Sequence, residues 1–148
     1  MREILFRGKR IYNGEWMYGL PCRTLNKAGE DVLNIQCWER GKDGVTGIYD
    51  AVIPETIGQY TGLTDKNGTK IFEGDIVKYK NTGGISFNGV TLTVIGKVVY
   101  NEKTTSFAVF GKDEIGAKHC DYFPIQNIEV IGNIHDNPEL LKENGNDE

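Results

Sequence analysis

Three Asn-Gly pairs, each set between apolar segments, are the feature that most constrains the fold of this chain. They lie at residues 13–14, 67–68 and 88–89. Both central residues of a type I′ turn need a positive φ, which Asn and Gly tolerate, so each pair predicts a tight hairpin. Residues 90–95 alternate apolar side chains with threonine, as a half-buried strand does. The pattern predicts a mainly β protein.

Further strands are predicted over six segments rich in β-branched and aromatic residues. They are residues 32–38, 49–53, 74–80, 97–100, 106–110 and 128–131. Gly96 interrupts the strand-like run 90–100 and predicts a bulge or sharp bend, which a small closed barrel uses to turn its corners. Near the C-terminus, Asn137 as a cap and Pro138 at the first helical position predict a short helix.

The segment 54–58 is the best candidate for a boundary between two strand-rich halves. We expect an N-terminal β subdomain over residues 1–57 and an SH3-like β-barrel over residues 58–136. A short helix and an acidic tail follow over residues 137–148.

Charge and cysteine content restrict the class of partner and the compartment. The chain has 17 basic and 21 acidic residues, and the acidic excess falls in residues 136–148, where five acidic side chains face only Lys142. A charge-neutral body is not typical of a protein that mainly binds a phosphate backbone. The three cysteines have no disulfide or zinc-ribbon spacing, and no apolar run reaches membrane-spanning length. We therefore expect a cytoplasmic protein without cofactor, metal or membrane association.

Three segments, taken together, resemble the YopX family of phage and prophage proteins. They are residues 1–7 (MREILFR), residues 53–77 (IPETIGQYTGLTDKNGTKIFEGDIV) and residues 128–141 (IEVIGNIHDNPELL). The resemblance spans nearly the whole chain in the expected order. It implies an accessory protein of a phage or prophage, acting in the infected or lysogenic bacterial cell, and it carries no catalytic residue onto this sequence.

The middle of these segments has a structural interpretation. Residues 73–77 look like the entry to the first strand of a small SH3-like barrel. Gly74 there permits a tight approach, and the Asp75 carboxylate can accept backbone N–H bonds in the turn. A catalytic acid at Asp75 is the less favoured alternative.

Two other motifs resemble sites but lack required partners. Residues 119–121 (His-Cys-Asp) place a cysteine beside a base, yet neighbours in a strand point to opposite faces, so adjacency does not create a dyad. Residues 65–68 resemble part of an EF-hand loop, but aligning Gly68 with its sixth position puts Leu63 and Gly74 where carboxylates are needed. We predict no catalytic or metal site and expect that the protein is not an enzyme.

The N-terminal hairpin carries a small cationic and aromatic cluster. Arg7, Lys9, Arg10 and Trp16 are the candidate nucleic-acid contacts, because aromatic rings between cations can stack single-stranded bases. The alternative is that the aromatic side chains fill the hairpin core. The leading prediction is a non-enzymatic module that binds itself or a phage or host protein. A weak single-stranded nucleic-acid binder is the second hypothesis.

Overall fold

The computed structural model describes residues 1–82 and 89–142. The chain forms two compact units, Met1–Gly62 and Leu63–Glu148. The boundary between them lies five residues after the one that the sequence predicts, which follows residue 57. Antiparallel strands dominate both units, so the prediction of a mainly β protein is confirmed. The described strands are β1 (Phe6–Lys9), β2 (Trp16–Leu25), β3 (Asp31–Gly41), β4 (Gly44–Ala51), β5 (Gly58–Thr64), β6 (Lys70–Phe72), β7 (Asp75–Thr82), β8 (Thr91–Asn101), β9 (Ser106–Asp113), β10 (Lys118–Tyr122) and β11 (Glu129–Asn133).

The first unit is an antiparallel sheet in the order β4-β3-β2-β1, with the start of β5 beside β1. The predicted turn joins β1 to β2, but it is not type I′: Gly14 has a φ of 71° whereas Asn13 does not have a positive φ, and the Gly14 N–H donates to the Arg10 carbonyl at 2.9 Å. On the inner face of the first sheet, Met17, Ile35 and Val52 pack together, and each is at most 2% exposed. This cluster is the hydrophobic core of the unit.

The second unit is a sheet in the order β10-β9-β8-β7-β11. One face of its central strands forms a continuous apolar core. The core contains Ile71, Val77, Tyr79, Val94, Val98, Val109 and Ile128. Asp65 and Gly68 close the predicted turn before β6, with the Gly68 N–H donating to the Asp65 carbonyl at 3.0 Å.

Two features of the predicted second unit are not confirmed. The described strands form an open order, with β10 bonded to β9 and β11 to β7, rather than a closed SH3-like barrel. The predicted helix is a single 3-10 turn at Pro138–Leu141. Asn137 makes no side-chain cap, because its Oδ1 accepts the Asn133 N–H at 3.3 Å.

Two predictions lie outside the described residues. They are the segment 85–87 with Asn88 of the third turn, and the end of the acidic tail from residue 143. Within the ranges that are described, helical segments are too short and too polar to cross a bilayer.

Candidate functional site

A set of large apolar side chains is exposed on the outer face of the first unit. Cross-strand partners share a face, and the register pairs Leu20 with Gln36 and Gln36 with Tyr49. Residues two apart extend this face. Its exposed members are Tyr18 (46%), Leu20 (52%), Trp38 (69%), Val45 (58%) and Tyr49 (61%). We call this set the aromatic face. Contiguous apolar exposure of this kind marks an interaction surface more often than isolated exposed residues do.

The hairpin cluster predicted from sequence adjoins this face but does not form one open cationic surface. Arg7 is buried, and its Cζ lies 4.5 Å from the centroid of the Trp16 ring. The Lys9 Nζ lies 5.5 Å from the same centroid. The Arg10 Nε is 2.9 Å from the Asp50 Oδ2. The structure therefore groups Arg7, Lys9 and Trp16, whereas Arg10 pairs elsewhere, and nucleic-acid contact by this cluster stays a prediction.

A polar cluster lies on the inner face of the second sheet, at its β10 end. The Tyr79 hydroxyl donates to the Asp121 carboxylate, and the Asn81 Nδ2 lies 3.3 Å from His119 Nδ1. On the other side of the imidazole, His119 Nε2 is 2.9 Å from Asp113 Oδ2. The cluster thus links β7, β9 and β10 through side chains. Tyr79, Asn81 and Asp121 also line a cleft of about 620 Å³.

The pKa values of two side chains in this cluster, Tyr79 and Asp113, are shifted in opposite directions. Burial, together with the bond to the Asp121 carboxylate, raises the pKa of Tyr79 well above its usual range. The hydrogen bond from His119 lowers the pKa of Asp113, and backbone donors from Ala117 and Ile115 act in the same direction. Tyr79 is therefore held as a neutral donor and Asp113 as an anionic acceptor at neutral pH.

The three residues of the His-Cys-Asp motif do not meet. His119 and Asp121 point to the inner face, and the intervening Cys120 is exposed on the outer one. Sequence reasoning identified His119 and Asp121 but missed Tyr79, Asn81 and Asp113. The spacing of Tyr79 and Asn81 on β7 indicates a common face, but the register that brings Asp113 of β9 to the same face is not readable from the sequence.

The two aspartates of the central motif bond to the backbone. The Asp75 Oδ2 accepts the Phe72 N–H at 2.7 Å, the turn role that the sequence suggests. The Asp65 Oδ1 accepts N–H groups from Asn67 and Thr69 at 2.8 and 2.9 Å. These contacts make both carboxylates part of the turn architecture.

Comparison with known proteins decides the relationship that the three sequence segments suggest. The model of the YopX protein family matches residues 5–142. The chain belongs to the YopX family. Similar solved structures include that of protein EF1440 from Enterococcus faecalis, which shares 22% identity over 95% of this chain and 99% of that chain, with a TM-score of 0.49. No curated protein matches the chain.

Proposed function

We propose that this YopX family member is a non-enzymatic accessory protein of a phage or prophage that self-associates through its first unit. The observation that carries the proposal is the aromatic face, on which five large apolar side chains are each 46–69% exposed. Trp and Tyr are enriched in the buried centres of protein interfaces, because they supply large contact areas at small entropic cost.

The edge of the same sheet favours a second copy of the chain as the occupant. In the described part of the chain, β4 pairs with β3 along its length, and its opposite side is bonded at its C-terminal end, where the Ala51 carbonyl accepts the Ile11 N–H at 3.0 Å. Its eight residues include one charged side chain, Asp50, and no proline. Edge strands that stay monomeric usually carry lysines, prolines or bulges, and this edge has none of these devices.

Antiparallel pairing of β4 with β4 of a second copy would unite these two features. Such a pairing has twofold symmetry, so a contact of one residue with a second residue of the other copy is made twice, and no second type of surface is required. Trp38 and Tyr49 of the two copies would then lie on one continuous face. The result would be a discrete dimer rather than an open chain of subunits.

Light scattering coupled to size exclusion tests this proposal over micromolar concentrations. We expect a species of twice the 16.6 kDa of one chain. Thr46→Lys, which adds a charge at the β4 edge without altering the aromatic face, and the pair Trp38→Gln with Tyr49→Lys should each yield monomers. A mass of one chain at every concentration would contradict self-association.

The matched control removes apolar side chains of equal exposure elsewhere. Tyr12 and Ile115 are 71% and 70% exposed and lie outside the aromatic face. The variant with Tyr12→Lys and Ile115→Lys should remain dimeric. If this control dissociates as readily as the aromatic-face variant, general surface polarity and not the aromatic face governs association.

A further inference from the structure

The outer face of the second sheet carries lysines from four neighbouring strands. The register pairs Lys80 with Thr93, Lys78 with Ile95, Ile95 with Lys112, and Lys112 with Lys118, so these side chains share one face. Lys97 joins them from β8. All five lysines are exposed. We call Lys78, Lys80, Lys97, Lys112 and Lys118 the lysine face.

The five ammonium groups are available for an external anion. Within the described ranges, none of them forms an ion pair or a side-chain hydrogen bond. Two acidic side chains lie near the five lysines: Glu129 Oε2 is 2.6 Å from Lys66 Nζ, and Glu114, whose Oε1 accepts the Thr93 N–H at 2.7 Å, also interacts electrostatically with Lys80. The inner-face carboxylates of Asp113 and Asp121 lie on the opposite side of the sheet. The face therefore has a positive excess although the body of the chain is neutral.

A small cleft and two aromatic rings lie among the lysines on this face. A cleft of about 150 Å³ is lined by Lys78, Lys80 and Thr93, and by Lys66 with its ion-pair partner Glu129, so its ammonium groups outnumber its carboxylates. Phe110, paired with Lys97 and Cys120, is 40% exposed on the same face. Tyr122, two residues after Cys120, is 46% exposed there.

We propose that the lysine face binds single-stranded nucleic acid. Lysines two apart on a strand are about 6.7 Å apart, and neighbouring strands are about 4.8 Å apart, so the face presents a grid of cations to a polyanionic backbone. Clustered cations gain affinity by releasing counterions from phosphates. Exposed rings between the lysines can stack on unpaired bases. The bases of a duplex are already paired and stacked, and acidic peptides contain no bases, so the rings favour a single strand.

Fluorescence anisotropy with a fluorescein-labelled oligothymidylate of 20 nucleotides tests the proposal across a salt series. The variant with Lys78, Lys80, Lys112 and Lys118 each changed to Gln should lose affinity about tenfold or more, with a shallower dependence on salt because fewer counterions are released. A matched control changes Arg23, Lys27, Lys42 and Lys142 to Gln. It has the same net charge and should stay within about twofold of the parent at low salt.

Ring stacking is tested separately. Phe110→Leu with Tyr122→Leu keeps apolar side chains and should weaken oligothymidylate binding about fivefold, with no change in binding to labelled polyglutamate. Thermal unfolding checks that each variant is folded. Surface substitutions seldom alter stability by more than about 0.5 kcal/mol, so we expect each variant to unfold near the temperature of the parent.

Four outcomes would overturn the proposal. The first two are an absence of oligonucleotide binding by the parent at low salt and an equal loss of affinity in the lysine-face variant and its matched control. The third is an equal or larger loss of affinity in a hairpin variant with Lys9→Gln and Arg10→Gln. The fourth is an unchanged affinity when the two rings are replaced. The last outcome, combined with tight polyglutamate binding, would assign the face to an acidic protein segment.

Discussion

At the scale of single residues, buried aspartates connect turns to strands in the second unit. The Asp65 carboxylate accepts two N–H groups within its own turn and a third, from Val130 of β11, at 3.0 Å. Asp113 repeats the arrangement, accepting N–H groups from Ile115 and Ala117 before it binds His119. A backbone donor satisfied by a carboxylate forms a charge-assisted bond, stronger than a neutral one.

Replacing Asp65 should destabilise the protein markedly. Asp65→Ala leaves three N–H groups without their acceptor, and we expect a loss of about 2–3 kcal/mol in the free energy of unfolding. Urea denaturation measures this loss. Asp65→Asn keeps one oxygen acceptor and should lose less. Equal stability of Asp65→Ala and the parent would show that solvent replaces these bonds without cost.

The same carboxylates predict the direction of the pH dependence. Burial alone would raise the pKa of Asp65, but the backbone donors from Val130, Thr69 and Asn67 outweigh it and lower that pKa. A folded pKa below the unfolded value near 3.9 gives stability that is present above about pH 4 and is lost as the pH falls through the folded pKa. Thermal midpoints of Asp65→Ala should therefore fall less steeply than those of the parent on acidification below about pH 4.

At the scale of secondary-structure elements, two glycines allow β8 and β9 to approach closely. Gly96 and Gly111 are cross-strand partners. A Cβ added at Gly96 would lie 2.6 Å from the Phe110 carbonyl oxygen, and one at Gly111 would lie 2.4 Å from the Ile95 carbonyl oxygen. The register runs through Gly96 without a shift, whereas the register of β11 shifts between Val130 and Gly132. Gly96 thus marks a close approach of strands and not a bulge.

Gly96→Ala should therefore separate strands that the core requires to be close. Because the added methyl group would meet backbone atoms, which cannot rotate away, we expect a loss of about 3 kcal/mol in stability, measured by urea denaturation. Gly41→Ala is the matched control. Its Cβ would lie no closer than 3.9 Å to a neighbouring atom. Equal effects of the two substitutions would contradict the steric explanation.

At the scale of the whole molecule, each unit has a hydrophobic core of its own. Met17, Ile35 and Val52 form the first, and residues from β6 to β9 with Ile128 form the second. Among the described residues, no group of three or more His, Cys, Asp or Glu side chains is placed to hold a metal ion. Burial of these apolar side chains stabilises each unit by about 25 cal/mol per Å² of apolar surface removed from water.

We accordingly expect EDTA to leave the thermal midpoint of the protein unchanged. Differential scanning calorimetry of chelator-treated and untreated samples provides the measurement, with added zinc as the reciprocal control. A fall of several degrees after chelation would contradict this expectation and show that a bound metal ion stabilises the protein.

The sequence by itself determined the strand-rich character, the hairpin at Asn13-Gly14 and the family of this protein. These depend on local information, namely a glycine that tolerates positive φ at the turn, alternation with period two, and contiguous motifs. The role of Asp75 as an acceptor in its turn was readable for the same reason, since Phe72 is only three residues away.

The tertiary structure alone decided which distant residues share a face. Lys78 lies on β7 and Lys118 on β10, and strands β8 and β9 separate these two strands in the sheet. A shift of one residue in register would turn either side chain to the opposite face. Net charge along the chain cannot report this segregation, because the sheet sends lysines outward and Asp113 and Asp121 inward. The candidate surfaces are thus products of register, which long-range pairing sets.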